Sequence, residues 1–304
     1  MSMFRSFEEV EEFVLSQGVK KRIALAAAHD EPALSAVVDA RRRGVVDATL
    51  VGDGSQIRAL LSQMGEDEAD YRIVETTGDS EASMTAVSLV HNGEADIEMK
   101  GNLPSADFLL PIMNPFDGLV DFGSTLSETT VFEYRDQGRL MFATDCAITV
   151  APGLREKTAL VSNAVELARA FGFDEVKVAA ISALEKVNPQ IESSKDADKL
   201  AHMEWPEGVT VAGPFALDNA LDAETAAHKG IENPVAGCAD VLLMPDLTCG
   251  NVFHKCVHYL GHLRSAAVIC GTTKPVVFTS RSDSSESKYL SILSAILQSM
   301  SSEG

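Results

Sequence analysis

The sequence predicts an α/β protein of two lobes, each with a mainly parallel sheet flanked by helices. The chain has 304 residues, 45% of them hydrophobic, which is enough for a sizeable core and about the length of two domains. Short β-rich runs alternate with amphipathic helical segments along most of the chain. Because βαβ connections join parallel strands, this alternation indicates mainly parallel sheets with helices on both faces.

Four strand-like runs occupy the first third of the chain, with helical segments between or after them. The strands predicted by this pattern are 23–28, 48–52, 71–75 and 95–99. The helical segments are EPALSAVVDARRRG, SQIRALLSQMG and SEASMTAVSLVHNG. This repeat is the basis for a parallel sheet in the first lobe.

The middle of the chain changes character. Three strand-like runs, 129–134, 139–144 and 146–152, follow one another closely, and only the turn-like RDQG separates the first two. Such short connections are typical of hairpins. We therefore expect the chain to cross between lobes in this region.

The alternation then resumes and continues to the C-terminus. The predicted helices are 155–172, 251–263 and 286–300, and the predicted strands are 176–182, 209–213, 240–245, 265–271 and 275–280. The long apolar C-terminal helix suggests association into at least a homodimer.

Composition and charge exclude several classes of protein. The formal charge of −20 disfavours binding to nucleic acid or anionic membranes. The N-terminus is acidic and amphipathic, and no window approaches ~18 uninterrupted apolar residues, so secretion and membrane insertion are not expected. Five cysteines fit reduced thiols better than a disulfide framework. We expect a cytoplasmic protein in which local positive groups hold any anionic ligand.

The segment PDLTCGNVFHKCVHYLGH (245–262) concentrates histidine and cysteine, but its geometry disfavours a metal site. On the predicted helix, His254, His258 and His262 form a stripe whose ends are ~12 Å apart, too far to share one ion. Cys256 points to the opposite face, and no zinc spacing is present. We therefore expect no metal.

The residues between these histidines are more informative. Gly250 and Asn251 are predicted to open a helix at the carboxyl end of a strand, where backbone N–H groups bind anions. Lys255 follows one turn later on roughly the same face. Together they form a candidate anion cradle, although Gly-Asn alone is equally consistent with a simple turn and helix cap.

Six segments in fixed order, from about residue 20 to the end, form a combined signature. They are ADIEMKGNLPSADFLL, ATDCAITVAPGLREKTALVSNAVELARAFG, VKVAAISALEKVNP, VAGPFALDNALDAETAAHKGI, NPVAGCADVLLMPDLTCGNVFHKCVHYL and GTTKPVVFTSRSDSSESKYLSI. This set resembles the phosphate acetyltransferase and phosphate butyryltransferase family. The Met-Lys-Gly, Asp-Asn and Ser-Arg-x-Asp features resemble the butyryltransferase branch more closely.

The resemblance implies a fold like that of isocitrate and isopropylmalate dehydrogenases, with a cleft between two α/β lobes. The first lobe would comprise 1–131 plus 269–304, and the second 132–268. The implied reaction moves a short-chain acyl group, butyryl or similar, between coenzyme A and inorganic phosphate. Coenzyme A is then a substrate, and no metal or redox cofactor is needed.

The same resemblance assigns the Ser-Arg pair that follows the strand 275–280. Arg281 is expected to hold phosphate or acyl phosphate through its planar fork, and Ser280 to contact the thiol sulfur or the developing oxyanion. Lys100, Asn102 and Ser105 are further candidate anion binders.

The base that handles the thiol proton is less defined. A thiol with pKa near ~8.5 is mostly protonated at neutral pH, so the reverse reaction needs a base. The acetyltransferase branch has an aspartate seven residues after the serine, where this chain has Ser287. Asp283, Glu286 and Asp145 are alternatives that remain open. Cys146 is expected to form a pocket wall rather than act as a nucleophile.

One departure from the family pattern bears on function. Family members often show Ser-His before the Val-Phe-Glu strand, where this chain has Glu128. An acidic side chain facing an anionic substrate is costly, so Glu128 should point away or the substrate should differ.

Three other functions compete with this interpretation. The first is phosphate acetyltransferase activity, and the second is a non-catalytic module that binds acyl-CoA or acyl phosphate. The third, a decarboxylating dehydrogenase, needs clustered arginines and metal-binding aspartates, and no run supplies both.

Overall fold

The computed structural model describes residues 3–302, which form two compact units. The terminal unit consists of Phe7–Ser124 together with the residues from Ala266 onward. The central unit consists of Thr125–Ser265 together with the N-terminal residues up to Ser6. Each unit contains strands and helices of its own.

Strands and helices alternate along the chain. The strands are β1 (Lys21–Ala26), β2 (Val46–Gly52), β3 (Arg72–Glu75), β4 (Ile97–Lys100), β5 (Ser127–Tyr134), β6 (Arg139–Thr144), β7 (Val176–Ile181), β8 (Val209–Phe215), β9 (Val241–Leu243), β10 (Ser265–Cys270) and β11 (Val276–Val277). The helices are α1 (Phe7–Gln17), α2 (Glu31–Arg42), α3 (Gly54–Gln63), α4 (Asp79–His91), α5 (Ser105–Ile112), α6 (Leu154–Ala170), α7 (Glu192–Ala201), α8 (Leu217–Leu221), α9 (Ala223–His228), α10 (Leu247–Lys255) and α11 (Ser285–Ser302).

In the terminal unit the strands lie side by side in the order β3-β2-β1-β4-β11-β10. The pairs β1–β2, β1–β4, β2–β3 and β4–β11 are parallel, and β10 is antiparallel to β11. Because parallel strands end at the same edge of a sheet, the loops that follow β1, β4 and β11 are neighbours.

The C-terminal helix α11 belongs to the core of the terminal unit. Its apolar side chains, including Leu290, Ile292, Leu293 and Ile296, are at most 2% exposed. The helix contacts α1, α2 and β11 of the same unit. Its apolar face is therefore explained by packing within the chain, and it no longer provides a reason to expect association.

In the central unit the strands lie in the order β5-β6-β9-β7-β8. β5 and β6 form an antiparallel hairpin, as predicted, and the remaining neighbours are parallel. The lobe boundary implied between residues 131 and 132 falls inside β5.

The strand predicted over 146–152 is wrong. The Asp145 carboxylate accepts hydrogen bonds from the backbone N–H groups of Ala147, Ile148 and Thr149, at 2.8, 3.0 and 2.9 Å. Donors that a strand would offer to a neighbouring strand are thus bound to one side chain. The chain turns after β6 and enters α6.

Both units contain mainly parallel strands flanked by helices, which confirms the predicted fold class. Within residues 3–302, no helix is long and apolar enough to cross a membrane.

Candidate functional site

The candidate site residues are distributed over both units. The terminal unit contains Lys100, Asn102, Ser105, Ser280, Arg281 and Asp283, and the central unit contains Asp145, Cys146, Gly250, Asn251 and Lys255. Each set is described within its own unit.

In the terminal unit, three neighbouring loops form a charged group that we call the lysine cluster. It consists of Lys100 at the end of β4, Asp30 after β1, Arg281 and Asp283 after β11, and Lys288 in α11. The structure brings these residues close enough for the other four to perturb Lys100 electrostatically. With three cations and two carboxylates, the cluster has a net positive charge in a chain that is strongly acidic.

Lys100 is almost fully buried, at 2% exposure. Its Nζ lies 3.5 Å from the carbonyl oxygen of Gly101 and 6.0 Å from the centroid of the Phe278 ring. Burial, followed by repulsion from Lys288 and Arg281, lowers the pKa of Lys100 to about 8. A buried ammonium group with so few partners can bind an anion.

Gly101 makes this position of Lys100 possible. Its N–H donates to the carbonyl oxygen of Ala26 at 2.8 Å, which holds the loop after β4 against the loop after β1. A Cβ at Gly101 would lie 2.3 Å from the carbonyl oxygen of Ala27, which is closer than real side chains come. The glycine of the Lys-Gly pair is therefore required by packing.

The Ser280–Arg281 turn is held from both sides. The Ser280 N–H donates to Asp283 Oδ2 at 2.7 Å, and Lys288 Nζ donates to the Ser280 carbonyl oxygen at 2.7 Å. Lys288 Nζ also donates to Thr279 Oγ1 at 3.1 Å. The turn fixes the backbone of Ser280 and leaves the Arg281 side chain exposed.

Lys288 was not identified from the sequence, although it is only 1% exposed. Burial lowers the pKa of Lys288, and Asp283 and Asp30 oppose this shift. A lysine among the apolar positions of the C-terminal helix was the available signal. Its partners are backbone and hydroxyl groups, which a sequence pattern does not reveal.

Asn102 lies in the loop after β4, and Ser105 lies at the start of α5. Both are exposed, and the Asn102 N–H donates to the Ala27 carbonyl oxygen at 3.3 Å. Ser105 is the first residue of α5, where no side chain caps the helix. Their assignment as anion binders stays a prediction.

In the central unit, Asp145 organises the turn after β6. Besides the three N–H donors of that turn, it accepts the Glu128 N–H at 3.4 Å. Burial raises the pKa of Asp145, and the backbone hydrogen bonds oppose this shift. Both carboxylate oxygens accept hydrogen bonds from backbone N–H groups. The assignment of Asp145 as a base stays a prediction.

Cys146 has the environment of an inert thiol. It is 1% exposed, and its Sγ donates to the Ala143 carbonyl oxygen at 3.6 Å. Burial raises its pKa well above the usual value, and the nearby Glu128 carboxylate adds to this effect. A thiolate is the reactive form of cysteine. These surroundings therefore favour Cys146 as part of a pocket wall rather than as a nucleophile.

Glu128 points into the central unit, where it is 2% exposed. The Thr130 hydroxyl donates to Glu128 Oε1 at 2.9 Å, and His254 Nδ1 is 2.9 Å from the same hydroxyl oxygen. Since the single hydroxyl proton is directed at the carboxylate, Nδ1 of His254 is the donor of the second bond. No motif or spacing in the sequence indicates that these three side chains meet.

The predicted start of α10 is wrong. The helix begins at Leu247, and the Asp246 side chain caps it by accepting the Cys249 N–H at 2.9 Å. The Gly250 N–H is already bonded to the Asp246 carbonyl oxygen at 3.0 Å. Gly250 and Asn251 therefore do not form the helix opening expected to hold an anion.

These two residues instead connect α10 to the Asp145 turn. A Cβ at Gly250 would lie 2.0 Å from the Asp145 carbonyl oxygen, so glycine permits the close approach. The Asn251 Nδ2 donates to the Cys146 carbonyl oxygen at 3.3 Å. Lys255 is the last residue of α10 and is half-buried.

The histidine stripe does not continue as one α-helix. After Lys255 the chain forms a π-helical turn, Cys256–Leu260, and His262 has a left-handed backbone conformation with φ of 47°. Within residues 3–302, no group of three or more His, Cys, Asp or Glu side chains is arranged to hold a metal ion.

The central unit also contains a cavity of about 970 Å³ that sequence reasoning did not identify. It lies at the carboxyl ends of β7 and β9 and is lined by residues including Pro152, Ser182, Asp246 and Cys249. A buried ion pair between Lys157 Nζ and Asp196 Oδ2, at 2.9 Å, contributes to its wall. It has the position expected of a ligand crevice in an open α/β sheet.

Comparison with known proteins identifies relatives over almost the whole chain. Residues 59–296 match the family model described as Phosphate acetyl/butaryl transferase. A phosphate butyryltransferase from Clostridium acetobutylicum is 43% identical over 97% of this chain and 98% of its own length. A phosphate acetyltransferase from Thermotoga maritima is 35% identical over 93% of this chain and 97% of its own length.

Solved structures give the same result. The crystal structure of a branched-chain phosphotransacylase from Enterococcus faecalis V583 matches with a TM-score of 0.83 and 30% identity, covering 92% of this chain and 99% of that one. A phosphotransacetylase from Streptococcus pyogenes, at 23% identity and a TM-score of 0.78 over 97% of this chain and 99% of that one, supports the fold.

Proposed function

Because the chain belongs to the Phosphate acetyl/butaryl transferase family, we propose that it transfers a short-chain acyl group between coenzyme A and inorganic phosphate. The reaction converts acyl-CoA and phosphate into acyl phosphate and coenzyme A. Butyryl or a similar group is the proposed acyl chain, since phosphate butyryltransferases are 40% and 43% identical to this chain over at least 91% of its length.

The observation that carries this proposal is the 43% identity with a phosphate butyryltransferase over 97% of the chain. The lysine cluster supports it chemically. Arg281 is exposed and has the planar fork that binds two phosphate oxygens, and Lys100 provides a buried cation nearby. These groups suit phosphate or acyl phosphate.

The test is an assay of thiol release from acetyl-CoA, propionyl-CoA, butyryl-CoA and isobutyryl-CoA. We expect release only when phosphate, or arsenate as its mimic, is present, with the highest kcat/KM on a four-carbon acyl group. Equal release without either anion would indicate a thioesterase. Binding of acyl-CoA without release under any condition would indicate a non-catalytic module.

We propose that the reaction needs no metal or redox cofactor, with coenzyme A acting only as a substrate. Direct attack of phosphate on a thioester requires cations and hydrogen-bond donors, which protein side chains supply. Activity should be unchanged after dialysis against EDTA. Loss of activity on chelation, with recovery on adding one divalent metal, would contradict this.

We also propose a cytoplasmic homo-oligomer, at least a dimer, that uses neither nucleic acid nor membrane as a partner. Exposed apolar side chains support association: in the central unit Val252, Tyr259 and Leu260 are 57%, 50% and 77% exposed. Light scattering coupled to size exclusion tests it, and a mass of 32.5 kDa at every concentration would refute it.

A further inference from the structure

Lys100 has an arrangement that anion binding alone does not require. A lysine that only attracts phosphate works well at a solvated surface, where its charge is stable. Lys100 is instead 2% exposed, and among residues 3–302 the Gly101 carbonyl oxygen at 3.5 Å is its one hydrogen-bond acceptor. Its ammonium group has three N–H donors, so at least two of them have no acceptor within residues 3–302.

The register of the sheet places this group beside the Ser280–Arg281 turn. In the parallel pair of β4 and β11, Met99 lies opposite Val277, so the next residues along the chain are Lys100, which ends β4, and Phe278, which follows β11. Ser280 follows two residues later. Lys100 and the Ser280–Arg281 turn thus lie at or just after the ends of neighbouring parallel strands at the same edge of the sheet, and a phosphate held by Arg281 would lie at that edge.

The proposed reaction needs one group that can accept and return a proton. Hydrogenphosphate loses its proton when it becomes an acyl phosphate, and the departing coenzyme A thiolate must gain one. Two of the candidate carboxylates already accept backbone hydrogen bonds: Asp283 Oδ2 accepts the Ser280 N–H, and Asp145 accepts several N–H groups of its own turn.

We propose that Lys100 is the proton-transferring residue of the reaction, and that Lys288 is a positioning residue that keeps Lys100 able to release its proton. This inference rests on the proposed function. It assigns to Lys100 a role beyond the attraction of an anion.

The neutral Lys100 amine takes the proton of bound hydrogenphosphate while a phosphate oxygen forms a bond to the thioester carbon. The bond between that carbon and sulfur then breaks, and the Lys100 ammonium gives the proton to the leaving thiolate. Acyl phosphate and coenzyme A are released, and Lys100 returns to its neutral form. The reverse reaction uses the same amine to deprotonate the thiol.

The surroundings of Lys100 suit this exchange. Burial and the cations Lys288 and Arg281 lower its pKa to about 8, while Asp30 and Asp283 act in the opposite direction. This value is close to that of a thiol, about 8.5, and general acid–base catalysis is most efficient when the pKa of the catalytic group lies near the operating pH. Arginine remains charged at any such pH and is unable to replace lysine in this role.

The first experiment compares Lys100→Arg with the wild-type enzyme, using butyryl-CoA and saturating phosphate. Arginine keeps the positive charge, so anion binding alone predicts a retained kcat and a modest change in KM for phosphate. The proton-transfer role predicts that kcat falls by about 10²- to 10⁴-fold, which is the usual contribution of general acid–base catalysis. A kcat within about threefold of wild type would overturn the proposal.

The second experiment follows the pH profile of kcat/KM in variants that change the charge near Lys100. Wild-type activity should rise with pH through about 8, as the amine becomes neutral. Lys288→Met removes a cation and should move this rise to higher pH. Asp30→Asn removes an anion while keeping a good helix cap, and should move it to lower pH.

The opposite directions of the two shifts identify the titrating group. Substrate ionisation is the same in every variant, so a displacement between profiles belongs to the protein. Lys288→Arg should keep the wild-type profile. If Lys288→Met does not fold, the Asp30→Asn and Lys100→Arg variants still test the role of Lys100. Profiles that coincide in wild type and Asp30→Asn would overturn the proposal.

Failure of this proposal is distinguishable from failure of the proposed function. If the wild-type protein shows no phosphate-dependent release of coenzyme A, the acyltransferase proposal fails before any variant is tested. If wild-type activity is present and Lys100→Arg retains it, the acyltransferase proposal stands and the role of Lys100 is refuted.

Discussion

The lysine cluster of the terminal unit and the Asp145 turn of the central unit both lie where a β-strand ends. They differ in how many hydrogen bonds the buried charged group makes. Lys100 is buried with one carbonyl oxygen at 3.5 Å. Asp145 is equally buried, and its oxygens accept the N–H groups of Ala147, Ile148 and Thr149. A buried charged group whose hydrogen bonds are all made within the fold has a structural role. A buried charged group with unused hydrogen-bond donors is available to a ligand.

The largest effect is expected from substitutions that test the close backbone approach in each region. Gly101→Ala and Gly250→Ala place a Cβ 2.3 Å and 2.0 Å from the carbonyl oxygens of Ala27 and Asp145. Backbone atoms must move, so we expect each to cost about 3 kcal/mol or more of unfolding free energy. Gly78→Ala is the control, because its Cβ would meet open space. Denaturant unfolding measures all three, and equal stability of the three variants would contradict the packing.

The next largest effect is expected on kcat and phosphate affinity when the Arg281 guanidinium is replaced by another cation. Arg281→Lys preserves charge but removes the planar fork, so we expect kcat and phosphate affinity to fall together, with about a 10²-fold loss in rate from misplaced phosphate. Lys255→Arg, at the end of α10, should mainly change the apparent affinity for one substrate. Steady-state kinetics on both substrates compares the two. Near-normal kcat for Arg281→Lys at saturating phosphate would contradict the assignment of Arg281.

A smaller effect is expected at Asp145. Asp145→Asn keeps one acceptor oxygen and replaces the other, which receives the Thr149 N–H, by an amide group that donates. We expect a loss of about 1–3 kcal/mol in stability. Catalysis should change by less than about tenfold, since loss of a general base costs 10²- to 10⁴-fold. A loss of kcat in that larger range in folded protein would make Asp145 the base.

The smallest effect concerns Glu98, two residues before Lys100 on β4. Glu98 is 0% exposed, and among residues 3–302 neither carboxylate oxygen has a hydrogen-bond partner. Burial raises the pKa of Glu98 well above its usual value. We therefore expect Glu98→Met, which removes the buried polar group and keeps the volume, to stabilise the protein by about 1–2 kcal/mol at pH 7.

The sign of the pH dependence follows from this shift. The folded protein keeps the Glu98 proton at a pH where the unfolded chain has lost it, so unfolding free energy falls as pH rises above the unfolded value. The slope from this one group is at most about 1.4 kcal/mol per pH unit. Glu98→Met should flatten the decrease between pH 5 and 8. Parallel stability curves for the two proteins would show that Glu98 is not buried as a neutral acid.

Much of the fold could be predicted because hydrophobic periodicity reports local structure. The alternation identified the strands of both units and the hairpin of β5 and β6. The errors occurred where a single side chain overrode the pattern. The apolar run 146–152 has strand character, but the Asp145 carboxylate takes its N–H groups. The start of α10 was misplaced because Asp246, and not the Gly-Asn pair, caps the helix.

The site was harder to predict because its geometry depends on contacts between distant segments. Lys100 and Arg281 were identified by resemblance to family motifs. Lys288 and Glu98 were not, since a lysine or glutamate in an apolar segment is ordinarily solvated. Only the packing of α11 and β4 shows that both side chains are buried. Glu128 stood out as a departure from the family motif, but its contact with the Thr130 hydroxyl, which also meets His254 of α10, depends on packing that the sequence does not reveal.

The most direct measurement is the rate of coenzyme A release from butyryl-CoA as a function of phosphate concentration, made side by side on wild type, Arg281→Lys and Asp145→Asn. We expect wild type and Asp145→Asn to saturate at similar phosphate concentrations. Arg281→Lys should require much more phosphate and reach a lower maximum. Loss of phosphate saturation in Asp145→Asn, with normal saturation in Arg281→Lys, would show that the lysine cluster is not where phosphate acts.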